Sequence, residues 1–207
     1  MADVTVNILD AAESFALITL AELKLALGIA VGDTSSDAQL QFLIDTNSSV
    51  ISTLTNRIFA REKVVETWRD LASRRLYLTH WPVALADIET VTTNGVDRID
   101  FELEESSGKL SLFTDRNEPI IVTYTGGFNL PTEAPKALKQ AAALLVGTSR
   151  AEQAAASLSG VRMIAHKESR VMFHSPTAGG STSGGTSGTQ ARETVKDLLH
   201  HYTRQWI

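Results

Sequence analysis

Cysteine is absent from the 207 residues. That excludes a disulfide scaffold, a thiolate metal site and a cysteine nucleophile together. No apolar run approaches the roughly 18–20 residues needed to span a bilayer. The opening MADVTVNILDAAESF lacks the basic and long apolar stretches of a secretory signal. The expectation is a soluble protein made in the cytoplasm, with no membrane partner. Basic charge is in short supply as well: 19 Lys and Arg stand against 24 Asp and Glu, a formal net charge of −5. A general nucleic-acid binder carries a basic face, so that class is set aside. A protein that DNA merely passes is not, because carboxylates lining a channel repel phosphate.

Signatures of catalysis are missing too. The Gly, Ser and Thr stretch at 175–189 has no Gly-Lys-Ser/Thr and follows no buried strand, so it reads as a linker and not a phosphate loop. His166 and His174 stand eight residues apart. His200 and His201 are neighbours that point about 100° apart on a helix. Neither is a ligand spacing such as HExxH, and all four read as solvated. There is no G-x-S-x-G elbow. Asp97, Asp100, Glu102, Glu104 and Glu105 crowd one hairpin, and a two-carboxylate hydrolase could be drawn from them. Nothing nearby gives any of them a reason for a shifted pKa, so the default is a solvated strand face. No catalytic residue, metal ligand or cofactor is expected, and no repeat period stands out.

What is present suffices for one ordinary domain, with 43% hydrophobic residues. ITLAELKLALGI predicts a helix over about 19–29, with Thr19 and Glu22 as a capping box and Leu20, Leu23 and Leu27 on one side. A longer helix over about 36–59 opens at Ser36, with Gln39 three residues on. It buries Leu40, Leu43, Ile44, Ile51, Leu54 and Ile58. Asn47 interrupts that stripe and reads as an asparagine hydrogen-bonded inside a bundle or an interface. From about residue 62 to 125 the period changes to two, and the segments are β-branched and short. Trp68 and Trp81 fall in this region as core residues. FELEESSGKLSL predicts a hairpin. Helix returns over about 132–156, with Thr132 as N-cap and Pro135 in the first turn. GVRMIAHKESRVMFHS holds two short extended segments around a polar turn. The fold class expected is α+β: a helical bundle body over 1–157 with an antiparallel β-rich insert. An extended segment and flexible linker follow over 158–188, then a C-terminal amphipathic helix over 189–207.

That last helix places Val195, Leu198, Leu199, Tyr202 and Trp206 in one stripe, while Arg192, Glu193, Lys196, Asp197, His200 and Arg204 fall on the other sides. Alone in water a helix of this length is marginal. It must dock on its own body or on another chain. Aromatic side chains dominate interface hot spots, so docking on a partner is the expectation, through Val195, Leu198, Leu199, Tyr202, Trp206 and Ile207. A 15-residue tether reaches about 20–23 Å on average and about 50 Å at full stretch.

The series ITLAELKLALGI, DAQLQFLIDTNSSVISTLTNRIF, RLYLTHWPVALADIETVTTNG and IIVTYTGGFNLPTEAPKALKQAAALLV resembles the head–tail connector (adaptor, head-completion) proteins of tailed bacteriophages and gene-transfer particles. The resemblance covers roughly residues 18–152. Its elements are an L-x-E-x-K-x-x-L helix, a long helix ending near an aromatic or Arg, a PV…I…V…G segment, and a VTYxxG strand leading through Pro into P-x-x-L-K-Q-A. Residues 147–153, GTSRAEQ, depart from the family's ending and keep only Arg150 and Glu152 of it. The resemblance implies a structural virion protein in the head–tail neck. Such a protein is a homo-oligomer, typically a dodecameric ring, under the portal protein. It joins the DNA-filled head to neck and tail-completion proteins and leaves a channel through which DNA passes unbound. Twelve copies at −5 sum to about −60, a field in which DNA slides and does not stick. On this reading the helices at 36–59 and 132–156 form the body and subunit contacts. Two other classes remain: a non-viral protein-binding adaptor module, and a hydrolase using the acids at 97–105.

Overall fold

A computed structural model describes residues 3–69, 74–113, 119–157, 163–166, 169–172 and 186–204. The chain opens with β1 (Asp3–Asp10), α1 (Leu20–Ala26) and α2 (Asp37–Thr55). A run of strands follows: β2 (Glu62–Arg69), β3 (Arg75–Tyr77), β4 (Ile88–Thr93), β5 (Val96–Asp97), β6 (Phe101–Glu104), β7 (Lys109–Leu112) and β8 (Ile120–Gly126). Then come α3 (Lys136–Ser157), β9 (Met163–His166), β10 (Ser169–Met172) and α4 (Thr186–Leu199). The class is mixed α+β, with the β-rich stretch between α2 and α3. No helix among the described residues is long and apolar enough to cross a membrane.

Every strand pair is antiparallel. One sheet runs β1-β2-β8-β4-β5, a second β3-β7-β6, and β9 and β10 form a hairpin of their own. β1 is a correction to the sequence reading, which treated the opening residues only as a failed signal. Val4, Val6 and Ile8 alternate there, and the strand pairs along β2 with Val4 opposite Trp68. Its exposure explains why it went unnoticed: as an edge strand it has no strongly buried face. β2 is buried at every second position from Glu62 to Trp68, and β8 from Ile120 to Gly126, the signature of a sheet with one covered face.

α1 begins as expected. Thr19 Oγ1 accepts from Glu22 N at 3.2 Å, and the Glu22 carboxylate accepts from Thr19 N at 3.0 Å. Burial works to raise the Glu22 pKa, but the hydrogen bond from Lys139 and those from Thr19 outweigh it and leave the group below its ordinary value. Lys139 Nζ lies 2.6 Å from Glu22, which ties the start of α1 to α3. α2 does begin after Ser36, yet the Ser36 side chain makes no capping bond. Buried Lys24 takes over the entry to α2: its Nζ is 2.5 Å from Asp37 and donates to the carbonyls of Asp33 and Val31. Gln39 bonds Gln153 on α3 instead of the helix start. Asn56, in the left-handed region at φ 52°, ends the helix.

Thr132 does not cap α3, which starts four residues later at Lys136; its carbonyl accepts from Lys139 Nζ. Leu54 is a further correction. It is 54% exposed, because the buried arc of α2 runs through Leu40, Ile44, Asn47, Ser48, Ile51 and Thr55. Asn47 holds the position predicted for it: Nδ2 donates to the Leu43 carbonyl, and Oδ1 accepts from Ser149 of α3 at 3.5 Å. After β8 the chain squeezes past Ala60. A Cβ on Gly127 (φ +106°) would stand 2.1 Å from the Ala60 carbonyl oxygen, so only glycine fits.

Two cores result. One lies among the helices, with Leu23, Leu40, Ile44, Ile51, Leu138 and Val146 at its centre. The other fills the covered side of the sheets, with Val64, Leu76, Leu78, Leu110, Val122 and Tyr124.

Candidate functional site

The sequence singled out the C-terminal helix, and α4 closes onto the chain's own body. It starts at Thr186, three residues before the boundary expected, and passes into a short 3-10 turn over His200–Tyr202. Val195 and Leu199 are 2% and 4% exposed and belong to the helical core, while Leu198 and Tyr202 pack half-buried against it. Tyr202 makes edge contacts with Phe59 (centroids 6.2 Å apart) and Trp81 (5.6 Å). Phe128 completes the aromatic cluster, its ring centroid 5.8 Å from that of Trp81. Trp206 and Ile207 lie outside the described residues. An exposed pair, Arg192 to Glu152 at 2.6 Å, also links α4 to α3, but pairs this open to solvent add little.

Arg204 is where sequence and structure part. It was expected on the polar side, yet it is 5% exposed. The 3-10 turn changes the rotation per residue, so Arg204 does not continue the face set by α4. Its main-chain N–H donates to the Thr55 carbonyl at 2.8 Å, at the end of α2. Its guanidinium donates to Thr79 Oγ1 at 2.6 Å and lies 5.8 Å from the centroid of the Trp68 ring. Burial lowers its pKa, and the charge of Glu66 opposes that.

Glu66 anchors a polar seam through the sheet core. One carboxylate oxygen accepts from Thr79 N at 2.9 Å and from the Tyr124 hydroxyl; the other accepts from Trp68 Nε1 at 3.1 Å. Burial, then the Glu66 charge, holds the Tyr124 hydroxyl well above its ordinary pKa. The Tyr124 oxygen in turn accepts from His80 N at 3.1 Å. Four residues back along β2, Glu62 meets His80 Nε2 at 2.8 Å and accepts from Ala12 N. Arg57, beyond the end of α2, donates to the Ser107 carbonyl at 2.6 Å and stands 5.5 Å from the centroid of the Trp81 ring. Burial, then the nearby Arg204 charge, lowers its pKa to about 10, still charged at neutral pH. The sequence reading missed this seam. The available signal was two glutamates, Glu62 and Glu66, at buried-parity positions of β2.

The other candidates stay apart. His200 and His201 are exposed, His166 falls in β9, and His174 lies outside the described residues. Among the described residues no group of three or more His, Asp or Glu could hold a metal. Of the acids at 97–105, Glu102 and Glu104 line one pocket, in the company of Arg75, Lys109 and Ser111. Glu104 bonds Lys109 and Ser107, which hold its pKa below the ordinary value, and Glu105 accepts from Leu85 N. Asp97 is exposed on β5.

The model of the head completion protein family matches residues 16–148. The chain belongs to that family. The match takes in α1, α2, both larger sheets except β1, and most of α3, and it ends before α4. The head completion protein shares its fold with a solved chain from the "Neck of empty GTA particle computed with C6 symmetry". The TM-score is 0.53 at 16% identity, over 98% of this chain and 97% of that one. A chain of the "Virion of native gene transfer agent (GTA) particle" is also similar, with TM-score 0.48 and 17% identity over 98% and 97%. No curated protein matches. As a head completion protein, the chain is a structural component of the virion at the head–tail junction.

Proposed function

We propose that this head completion protein is a head–tail connector: copies form a ring under the portal protein and join the DNA-filled head to the neck and tail-completion proteins. The observation that carries the reading is the family match over residues 16–148. The shared fold with a chain from a gene-transfer-agent neck is consistent with it. The helices serve as the bundle body of each subunit. The ring, dodecameric on the family resemblance, leaves a channel for DNA, and the net charge of −5 per copy keeps DNA from adhering to its wall.

Attachment runs through the C-terminal helix. In the isolated chain Val195 and Leu199 close the helical core, which keeps the apolar stripe covered until assembly. Leu198 and Tyr202 lie at the rim of that contact. With Val195, Leu199, Trp206 and Ile207 they form the surface offered to the portal or to a neighbouring subunit. A ring of such contacts holds through effective concentration even where each one is modest.

The test is capture of the cognate portal ring by the full chain, by a Tyr202→Ala/Trp206→Ala variant that keeps α4, and by a chain ending at Ser175. Capture by the full chain and its loss in both variants supports portal attachment through this helix. Equal capture by all three assigns the helix to another neck contact. No capture by the full chain on an intact portal ring overturns the portal assignment.

A further inference from the structure

β1 is the outermost strand of the five-stranded sheet and bonds to β2 on one side only. The sheet's other edge, β5, is two residues long, whereas β1 runs for eight. A long free edge is usually blunted by lysine or proline. DVTVNILD holds neither, and a bulge between Ile8 and Asp10 is its one irregularity. The covered face of the sheet also stays open there. Val4 and Val6 are half-buried and Ile8 is 53% exposed, while Trp68, Glu66 and Val64 opposite them on β2 are buried. A second element lacks support in a complementary way. Among the described residues β9 and β10 pair only with each other, and a two-stranded hairpin standing alone in water is marginal. Its strands read MIAH and SRVM, half of them the apolar residues Met163, Ile164, Val171 and Met172.

We infer that the β9–β10 hairpin of one copy adds to the free edge of β1 in the next copy and continues the five-stranded sheet across the subunit boundary. The inference rests on the ring reading above and names two segments that join its members. Both edges are unfilled within one chain, so a second copy supplies to each the main-chain partners it lacks. Charge matches as well. Residues 1–23 hold Asp3, Asp10, Glu13 and Glu22 with no Lys or Arg, and residues 162–172 hold Arg162, Lys167 and Arg170 against Glu168 alone. Copies that each carry −5 repel over most of their surfaces, whereas this pairing sets opposite charges together. The contact also propagates: edge and hairpin are different surfaces, which gives the head-to-tail join that a closed ring needs. Both segments lie outside residues 16–148, so neither belongs to the part that the family model matches.

The test is native mass and sedimentation velocity on the full chain, alone over a concentration series and on the cognate portal ring. Ile8→Lys places a lysine on the exposed edge, and Val171→Pro removes a main-chain donor from β10. Leu25→Lys makes the first change at a 77% exposed position of α1 and serves as the control. Ile8 is exposed and the hairpin is a sheet of its own, so thermal unfolding of the body should match wild type. Wild type and Leu25→Lys should assemble, while both edge variants should associate roughly tenfold more weakly or worse. Equal assembly by either edge variant overturns the pairing and leaves the ring standing. Wild type remaining a single copy both alone and on the portal overturns the ring and the inference together. Because the chain has no cysteine, Asn7→Cys labelled with benzophenone maleimide gives a second, single-site readout from exposed β1. In rings mixed from isotopically light and heavy copies, cross-links into residues 163–172 of another copy support the inference. Cross-links into the same chain's hairpin, or into the portal alone, overturn it.

Discussion

The two cores of this protein are built on different terms. The helical core is largely dry: Leu23, Leu40, Ile44, Ile51, Leu138 and Val146 are joined by Asn47, Ser48 and Thr55, each with hydrogen bonds inside the layer, and by a buried Lys24 paired with Asp37. The sheet core buries Glu62, Glu66, His80 and Tyr124, with Arg204 closing over it from the far end of the chain. A dry core asks only for volume and apolar character, and many sequences satisfy that. A buried charged seam asks for particular partners, since removing one leaves another unpaired. The difference teaches where the C-terminal segment gets its address. α4 is held by generic packing in the helical layer, whereas Arg204 is held by specific bonds to Thr55 and Thr79 and by the field of Glu66.

Substitutions that keep shape but change charge, or the reverse, separate the two. The largest effect is expected for Glu66→Ala, which strips the acceptor from Thr79 N, the Tyr124 hydroxyl and Trp68 Nε1 and removes the anion facing Arg204. A loss of about 3–5 kcal/mol in urea unfolding is expected. Ile51→Ala in the dry core should lose about 2–5 kcal/mol through the cavity it leaves. The shape-conserving Ile51→Leu should lose less than about 1.5 kcal/mol. A Glu66→Gln loss as small as that would erase the distinction between the cores.

Arg204→Ala should cost about 1.5–3 kcal/mol through its charged hydrogen bond. Amide exchange across 195–204 should quicken while α1 and α2 keep their protection. The smallest effect concerns pH. The folded-state pKa of Glu22 lies below its unfolded value, so its contribution is present above the unfolded value and fades as pH falls through the folded one. Its carboxylate is 43% exposed, so the fade should stay under about 1 kcal/mol. Glu22→Gln should remove it from the acid limb of a stability profile.

The same contrast explains what could be read in advance. The helical layer was legible because its rules are local. Period 3.6 marked Leu40, Leu43, Ile44 and Ile51, and Thr19 with Glu22 announced a capping box. Where local rules failed, a distant residue had intervened. Lys24 took over the start of α2 from the Ser36 side chain, and β1 owes its pairing to β2, some 50 residues on. Leu54 and Leu43 fit a helical stripe equally well on paper. Only the placement of α1, α3 and α4 decides which of the two is covered. At the candidate site the apolar stripe of α4 was legible, with its need for cover, but not where the cover comes from. The seam stayed hidden because Glu62, Glu66, Thr79, Tyr124 and Arg204 lie up to 142 positions apart (204 minus 62) and share no motif.

Electron microscopy of the cognate portal ring incubated with the full-length chain tests the connector account most directly. The account predicts a closed ring of copies coaxial with the portal, with an open central channel and the C-terminal helices in contact with the portal or with neighbouring subunits. Portal rings that stay bare, or that carry scattered single copies with no ring, would contradict it.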